Sequence, residues 1–254
     1  MNITDRHQFI LQQLQEKGKV DIQELSDALQ VSGVTIRKDL KLLEEKKLLY
    51  RTKGGGSTQN PYTIEKPINE KEFIKTEEKK KIAKAAVDLI GMNDSIILGS
   101  GTTVFELTHL IHPSKHLTVI TPALKVALEL CNRPFVDVLQ IGGLIHPSSS
   151  SAAGSFAERL LDDISCGMMF VGVDGIDPEF GLSITNLAEA SLIMKMIHLA
   201  QTVVVMADSS KFDRRGIGRI CSLEQVDYII TDKLVSPDTV KMVTERGVKV
   251  IIAE

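Results

Sequence analysis

Residues 31–40 read Val-Ser-Gly-Val-Thr-Ile-Arg-Lys-Asp-Leu, and this stretch decides the fold of the N-terminal part of the chain. Ser32 predicts the start of a helix, because its hydroxyl can accept a hydrogen bond from a backbone N–H that has no helical partner. Ile36 and Leu40 are four residues apart, so they predict one buried stripe along that helix. The positions outside the stripe are polar or positively charged: Thr35, Arg37, Lys38 and Lys41. We therefore predict a helix with one apolar face and one cationic face.

Two more helices and a short hairpin are predicted around this helix. Apolar residues at helical spacing mark the earlier helices, at positions 10, 11 and 14 and again at 22, 25 and 29. Leu48–Tyr50 predicts a short strand, and the sequence Arg-Thr-Lys-Gly-Gly-Gly at 51–56 predicts a basic turn. Two helices joined by a tight turn and followed by such a wing form a winged helix-turn-helix, which we predict for residues 1–57.

Positive charge is concentrated in this N-terminal region. Residues 1–60 contain ten Lys and Arg against eight Asp and Glu, whereas the whole chain has a net charge of −3. A helix of this kind enters the major groove of DNA, and cations on a wing can neutralise a neighbouring phosphate. The alternative is a three-helix module that binds another protein. We predict a double-stranded DNA operator as the partner and these contact residues: Ser32, Thr35, Arg37, Lys38, Lys41, Arg51 and Lys53.

The rest of the chain has the pattern of an α/β domain. Residues 58–72 are polar and contain two prolines, so we predict a linker there. Over residues 73–254, short apolar runs alternate with helical patterns, which is typical of a mostly parallel sheet covered on both faces. The charged run at 77–81 is interpreted as a solvent-exposed helix face. The predicted strands are Ser95–Gly99, Leu117–Thr121, Val136–Ile141, Met168–Val173, Val203–Ala207, Tyr228–Thr231 and Lys249–Ile252.

Small and charged residues follow several of these strands, where ligands of such sheets bind. The run Ser-Gly-Thr-Thr at 100–103 joins the first strand to a helix. It has the composition of a phosphate-binding loop, because small residues leave backbone N–H groups accessible at a helix start. Two glycines, a carboxylate and a lysine follow the third, fourth and fifth strands. We predict a ligand site made of Ser100, Gly101, Thr102, Thr103, Gly142, Gly143, Asp174 and Lys211.

The composition excludes several other classes of protein. Hydrophobic residues make up 43% and charged residues 25% of the 254 residues, as in folded globular chains. No apolar run reaches the ~18 residues that a membrane span needs, so we expect a cytoplasmic protein without a membrane partner. The three cysteines are scattered and the histidines lack metal-ligand spacing. We therefore predict neither a metal site nor a cofactor.

Motifs along nearly the whole chain resemble one family of bacterial proteins. They are VSGVTIRKDL at 31–40, LE at 43–44, RTKGG at 51–55, SIILGSGTT at 95–103, VGVDGID at 171–177 and ADSSKF at 207–212. Together they resemble the DeoR/GlpR family of sugar-metabolism repressors. The resemblance implies a C-terminal effector domain similar in fold to ribose-5-phosphate isomerase and CoA transferases, which binds a phosphorylated sugar or a related metabolite. Gly99 stands where the family usually has Asp, so the resemblance does not fix the identity of the effector.

Two classes of function fit these residues. One is a transcriptional repressor that responds to a ligand and is not an enzyme. The other is a sugar-phosphate isomerase with Asp174, Asp177 or Glu189 as the base and Lys211 as the electrophile. The N-terminal DNA-binding unit favours the regulator, since an isomerase has no use for it. We also expect a homo-oligomer, a dimer or a tetramer, because one winged helix covers a single half-site.

Overall fold

The computed structural model describes residues 2–52, 54–58 and 67–254, and the chain divides into two compact units, 1–64 and 65–254. Within residues 2–52 and 54–58, the first unit forms three helices and three short strands. In chain order these are α1 (Ile3–Lys17), β1 (Lys19–Asp21), α2 (Ile22–Leu29), α3 (Gly33–Glu45), β2 (Tyr50–Thr52) and β3 (Gly55–Ser57).

The helices of the first unit pack around a small apolar core. Ser32 caps α3 as predicted, since its Oγ accepts a hydrogen bond from the backbone N–H of Thr35 at 3.2 Å. Ile36 and Leu40 are buried, which confirms the predicted stripe. The other buried members of this core are Ile10, Leu14, Val20, Leu25, Leu43 and Leu49.

The wing is a three-stranded antiparallel sheet in the order β1-β3-β2. The predicted strand at 48–50 was shifted, because Leu49 turns into the core and β2 begins only at Tyr50. β1 was not predicted from the sequence, because its three residues contain a single apolar side chain. Gly55 is needed in β3, because a Cβ atom there would lie 1.8 Å from the carbonyl oxygen of Val20 in β1.

The second unit contains seven helices and twelve strands within residues 67–254. The helices are α4 (Ile68–Glu72), α5 (Thr76–Ile90), α6 (Thr102–Thr108), α7 (Leu124–Leu130), α8 (Ser155–Arg159), α9 (Leu187–Leu199) and α10 (Pro237–Glu245). The strands are β4 (Ser95–Leu98), β5 (Leu117–Thr121), β6 (Val136–Gln140), β7 (Leu144–His146), β8 (Ser151–Ala153), β9 (Cys166–Val171), β10 (Gly175–Asp177), β11 (Gly181–Ile184), β12 (Ala200–Met206), β13 (Gly218–Cys221), β14 (Tyr228–Asp232) and β15 (Lys249–Ala253).

Seven of these strands form one parallel sheet in the order β15-β14-β12-β9-β4-β5-β6. They correspond to the seven predicted strands, so the predicted parallel α/β architecture is confirmed. In the centre of the sheet, Ile97 is paired with Ile120 on one side and with Met169 on the other. Ile97 faces the core beneath α9, whereas Ile96 and its alternate neighbours face the core beneath α5 and α6. Both faces of the sheet are therefore covered.

Five shorter strands of the second unit were not predicted from the sequence. β7 and β8 form an antiparallel hairpin, and β10, β11 and β13 form a small antiparallel sheet. Each has only three or four residues. Such short segments contain too few alternations to show a strand period.

The predicted linker at 58–72 is wrong at its C-terminal end. Residues 68–72 form α4 and belong to the second unit, which starts at residue 65 rather than 73. Ile68 is buried, and its backbone N–H donates to the carbonyl of Ser148 at 2.7 Å. The predicted charged helix begins at Thr76 rather than Phe73.

No helix within the described ranges is long and apolar enough to cross a membrane.

Candidate functional site

The predicted DNA-contact residues of the first unit lie on α3 and on the wing. Arg37, Lys38 and Lys41 are exposed on α3, and Thr35 is half-buried near its start. Ser32 is exposed but is occupied by its capping role, because its Oγ also lies 3.0 Å from the Thr35 hydroxyl. Arg37 and Lys38 therefore follow directly after the capped first turn of α3.

Two of the predicted DNA-contact residues, Arg51 and Lys53, belong to the wing. Arg51 lies in β2, where its backbone N–H donates to Glu44 Oε1 at 2.8 Å and its guanidinium lies 3.6 Å from Glu44 Oε2. This contact fixes the wing strand to the end of α3. Lys53 lies outside the described residues.

A buried ion pair sets the orientation of α3, and sequence reasoning assigned it no role. The carboxylate of Asp39 is buried on α3 and accepts two hydrogen bonds from the Arg6 guanidinium of α1, at 2.8 and 3.0 Å. The hydrogen bond to Asp39 raises the pKa of Arg6. The bidentate geometry links α1 directly to α3, the helix that carries the exposed cations.

In the second unit, the structure brings Asp174 and Lys211 together at the carboxyl ends of β9 and β12. Lys211 Nζ lies 3.6 Å from Asp174 Oδ1, and Lys71 Nζ of α4 lies 3.1 Å from the same oxygen. The other oxygen, Asp174 Oδ2, accepts from the backbone N–H of Thr185 at 3.3 Å and from its hydroxyl at 3.1 Å. Two of the predicted residues thus meet, and a third charged residue from the predicted linker joins them.

Burial and charge act in opposite directions on these groups. Burial alone would raise the pKa of Asp174, but Lys71 and Lys211 more than compensate, so its pKa is lowered. Burial lowers the pKa of Lys211, and Asp174 and Asp208 oppose that shift only in part. Asp174 is therefore held as a carboxylate, and each lysine would gain from a further anion.

A second ionic cluster adjoins the first. Lys75 Nζ lies 3.2 Å from Asp208 Oδ1 and 3.9 Å from Asp232 Oδ2, and it donates to Ser209 Oγ at 3.0 Å. Both aspartates are buried at strand ends, after β12 and at the end of β14. Burial would raise the pKa of Asp208, but hydrogen bonds from Ser210 and the charges of Lys211 and Lys75 lower it.

The loop at 100–103 lies beside the end of β9. Gly101 has φ of 110° and caps α6, and outside its two chain neighbours no atom of the described residues lies within 4 Å of where its Cβ would be. A Cβ atom on Gly172, just after β9, would lie 3.3 Å from the Ser100 carbonyl oxygen. Thr102 and Thr103 are buried in the first turn of α6. The loop is therefore open on the side of Gly101 and closed on the side of the threonines.

Gly142 and Gly143 have a different neighbourhood. Gly143 has φ of 151°, and a Cβ atom there would lie 2.8 Å from the carbonyl oxygen of Ala153 in β8. Gly143 therefore lets the chain pass close to β8 and α8. The observed contacts of Gly143 explain a packing role, whereas a ligand contact by either glycine stays a prediction.

The functional residues that sequence reasoning missed come mainly from α4, α5 and the turn between them. The charged run at 77–81 was interpreted as exposed, but Lys79 is buried and its Nζ donates to the backbone carbonyl of Lys71. Burial lowers the pKa of Lys79. Helical spacing gives no signal for these lysines, because Lys75 has a left-handed φ of 53° and interrupts the chain between α4 and α5.

The described part of the chain contains no group of three His, Cys, Asp or Glu residues that could hold a metal ion.

Two family models match the chain. The DeoR-like helix-turn-helix domain matches residues 6–61, and the DeoR C terminal sensor domain matches residues 74–233. The chain belongs to the DeoR family of transcriptional regulators. The family predicted from the sequence motifs is confirmed.

Relatives of this DeoR-family regulator match over nearly its full length. A protein of Escherichia coli O157:H7 named for repression of the aga operon is 36% identical, covering 98% of this chain and 93% of its own length. The lactose phosphotransferase system repressor of Lactococcus lactis subsp. lactis is 34% identical, covering 93% of this chain and 94% of its own length. The regulator binds DNA through its N-terminal domain, senses a small molecule through its C-terminal domain and is not an enzyme.

One solved structure with a related fold is ribose 5 phosphate isomerase A from Neisseria gonorrhoeae. It is 17% identical, with a TM-score of 0.38 over 54% of this chain and 53% of the isomerase chain. This likeness concerns the fold alone.

Proposed function

We propose that this regulator represses genes of sugar or carbohydrate metabolism and that a phosphorylated sugar, or a related metabolite, controls its binding to the operator. Two relatives are named as repressors of the aga operon and of the lactose phosphotransferase system, which supports the sugar class.

One observation carries the choice of a phosphorylated ligand. Two lysine ammonium groups converge on one oxygen of Asp174 at the carboxyl edge of the sheet, next to the open loop at 100–103. Both lysines share the one carboxylate oxygen, and Asp208, which is paired with Lys75, acts on Lys211 only through its charge. A phosphate can accept hydrogen bonds from both ammonium groups and from loop N–H groups at once. Sugar hydroxyls would then be within reach of the carboxylate.

The proposed effector-contact residues are those of the sequence prediction: Ser100, Gly101, Thr102, Thr103, Gly142, Gly143, Asp174 and Lys211. The proposed DNA-contact residues are likewise Ser32, Thr35, Arg37, Lys38, Lys41, Arg51 and Lys53. Exposure of the cations on α3 supports the second set, and the ionic contacts of Asp174 and Lys211 support the first.

We further propose that the active species is a homo-oligomer assembled through the second unit. Eight large hydrophobic side chains are exposed between residues 124 and 160, around the edge strand β6. Exposed apolar surface beside an open sheet edge is typical of a protein interface.

Calorimetric titration with a panel of sugar phosphates and the matching free sugars tests the effector class. Replacement of Ser100 by Glu puts a negative charge at the carboxyl end of β4, so we expect Ser100→Glu to weaken sugar-phosphate binding at least about tenfold. Ser95→Glu is the matched control, because Ser95 is also half-buried and lies at the opposite end of β4. The proposal is wrong if no sugar phosphate binds the wild-type protein more tightly than its free sugar.

A further inference from the structure

α4 places a lysine where a ligand would have to bind. Lys71 Nζ and Lys211 Nζ come from elements far apart in the chain, yet they lie 3.1 and 3.6 Å from the same atom, Asp174 Oδ1. The exposed fraction of the side chain is 30% for Lys71, 24% for Lys211 and 20% for Asp174. The two ammonium groups are thus held around one oxygen, and all three side chains are partly exposed to solvent.

The position of Lys71 is fixed by contacts that do not involve Asp174. Its backbone carbonyl accepts from Nζ of the buried Lys79. Its neighbour Glu72 forms an ion pair with Lys125 of α7, and the start of α4 is tied to Ser148 through the Ile68 backbone N–H. The backbone of Lys71 would therefore stay in place if its ammonium group were released from Asp174.

Asp174 is also held independently of the two lysines. Its Oδ2 accepts both hydrogen bonds from Thr185, so only Oδ1 serves the ammonium groups. Asp174 Oδ1 is the one carboxylate oxygen in ion-pair contact with both ammonium groups, while Asp208, which is paired with Lys75, acts on Lys211 only through its charge. A phosphate group has three terminal oxygens and up to two negative charges, so it satisfies two ammonium groups more completely.

We propose that Lys71 and Lys211 together form the phosphate clamp of the effector site, and that Asp174 is an internal competitor which occupies the clamp when no effector is bound. This inference rests on the proposed function, because it assigns residues and a mode of entry to the same site. Lys71 is then an effector-binding residue on α4, the first described element after the segment that joins the two units. When phosphate binds the two lysines, Asp174 Oδ1 is released and can accept a hydrogen bond from a sugar hydroxyl.

Calorimetry on the full-length protein, with inorganic phosphate and with the same sugar phosphates as probes, tests this assignment. Lys71→Gln should weaken the binding of both kinds of probe at least about tenfold. The affinity of Lys71→Arg should stay within about threefold of wild type, since arginine keeps the positive charge. Asp174→Asn should tighten inorganic phosphate binding at least about threefold, because the competing charge is gone. Lys80→Gln is the matched control, since Lys80 is an exposed lysine of α5 paired with Glu77, and it should change neither probe.

The outcomes separate the two proposals. If wild type binds no sugar phosphate, the proposed function and the clamp are both wrong. If wild type binds but Lys71→Gln equals Lys80→Gln, the clamp is wrong and the proposed function stands. If Asp174→Asn weakens inorganic phosphate binding while circular dichroism and the melting temperature stay at wild-type values, Asp174 is a direct ligand and not a competitor.

Discussion

Arg37 and Lys38 are adjacent exposed cations on α3, close behind the Ser32 cap. A helix that enters the major groove presents its N-terminal residues to bases and phosphates. We expect Arg37→Ala combined with Lys38→Ala to weaken operator binding at least about a hundredfold, and to reduce the salt dependence of binding by about two phosphate contacts. Fluorescence anisotropy with an operator obtained by selection from random DNA measures both quantities.

Lys17→Ala combined with Lys46→Ala is the control for this experiment. It also removes two exposed cations from the first unit, but Lys17 ends α1 and Lys46 follows the far end of α3. Equal affinity of the two double variants would show that α3 does not contact DNA through its first turns.

At the level of single residues, the sequence predicted exposure better than it predicted buried charge. Ser32, Arg37 and Lys38 follow from helix periodicity and capping, which are local properties. Asp39 and Lys79 also occur in polar runs, but both are buried because a partner outside their own helix satisfies them. Arg6 is 33 residues from Asp39, and only the folded chain brings them together.

At the level of elements, the wing depends on a close backbone approach between β1 and β3. A Cβ atom on Gly55 would lie 1.8 Å from Val20 O, so Gly55→Ala forces the two strands apart. We expect a loss of about 3 kcal/mol in the free energy of opening of the first unit, at the upper end of the range for overpacking. Hydrogen–deuterium exchange of backbone amides in residues 2–52 of the full-length protein measures this free energy.

Gly54→Ala provides the matched control, since a Cβ atom on Gly54 would lie at an ordinary 3.4 Å from Asp21 Oδ2. It should change the opening free energy by less than about 1 kcal/mol. A similar loss in both variants would mean that general glycine flexibility, and not the contact with Val20, controls the wing.

Among the elements, α4 shows where local sequence patterns fail. Its five residues follow Pro67 and contain one buried apolar side chain, Ile68, so the pattern was that of a linker. The contacts that hold α4 reach Lys125 and Asp174, which are 53 and 103 residues away from their partners. Ion pairs between residues far apart in the chain cannot be recognised from local periodicity. The role of Lys71 in the candidate clamp was therefore not predicted from the sequence.

At the scale of the whole molecule, the alternation of apolar runs and helices predicted the parallel sheet but not its strand order. The order β15-β14-β12-β9-β4-β5-β6 places β4 next to β9, although four strands separate them along the chain. This pairing brings the loops after β4 and β9 side by side. The sequence predicted that Asp174 and Lys211 would share an edge of the sheet, whereas their direct contact depends on the pairing of β9 with β12.

The exposed apolar side chains around β6 lead to a prediction about assembly. Leu128 is 76% exposed on α7, which packs against the edge strand β6, and the outer hydrogen-bonding groups of that strand could pair with another chain. Phe156 is 70% exposed on α8. A palindromic operator requires two winged helices, and a two-fold interface on the second unit would supply them. We therefore expect a fragment of residues 65–254, which retains α4, to sediment as a dimer or a tetramer at micromolar concentration.

Charge at this surface should dissociate the assembly. Leu128→Asp in the full-length protein should raise the dissociation constant at least about tenfold, because an unpaired carboxylate would be buried in the interface. Leu234→Asp is the control, since Leu234 is 64% exposed but follows β14 near the opposite edge of the sheet. Dissociation by Leu234→Asp alone would move the interface to the β15 edge. A monomeric wild-type protein in analytical ultracentrifugation would remove the basis for pairing two winged helices by this route, because the second unit would then hold no partner in place before DNA is bound.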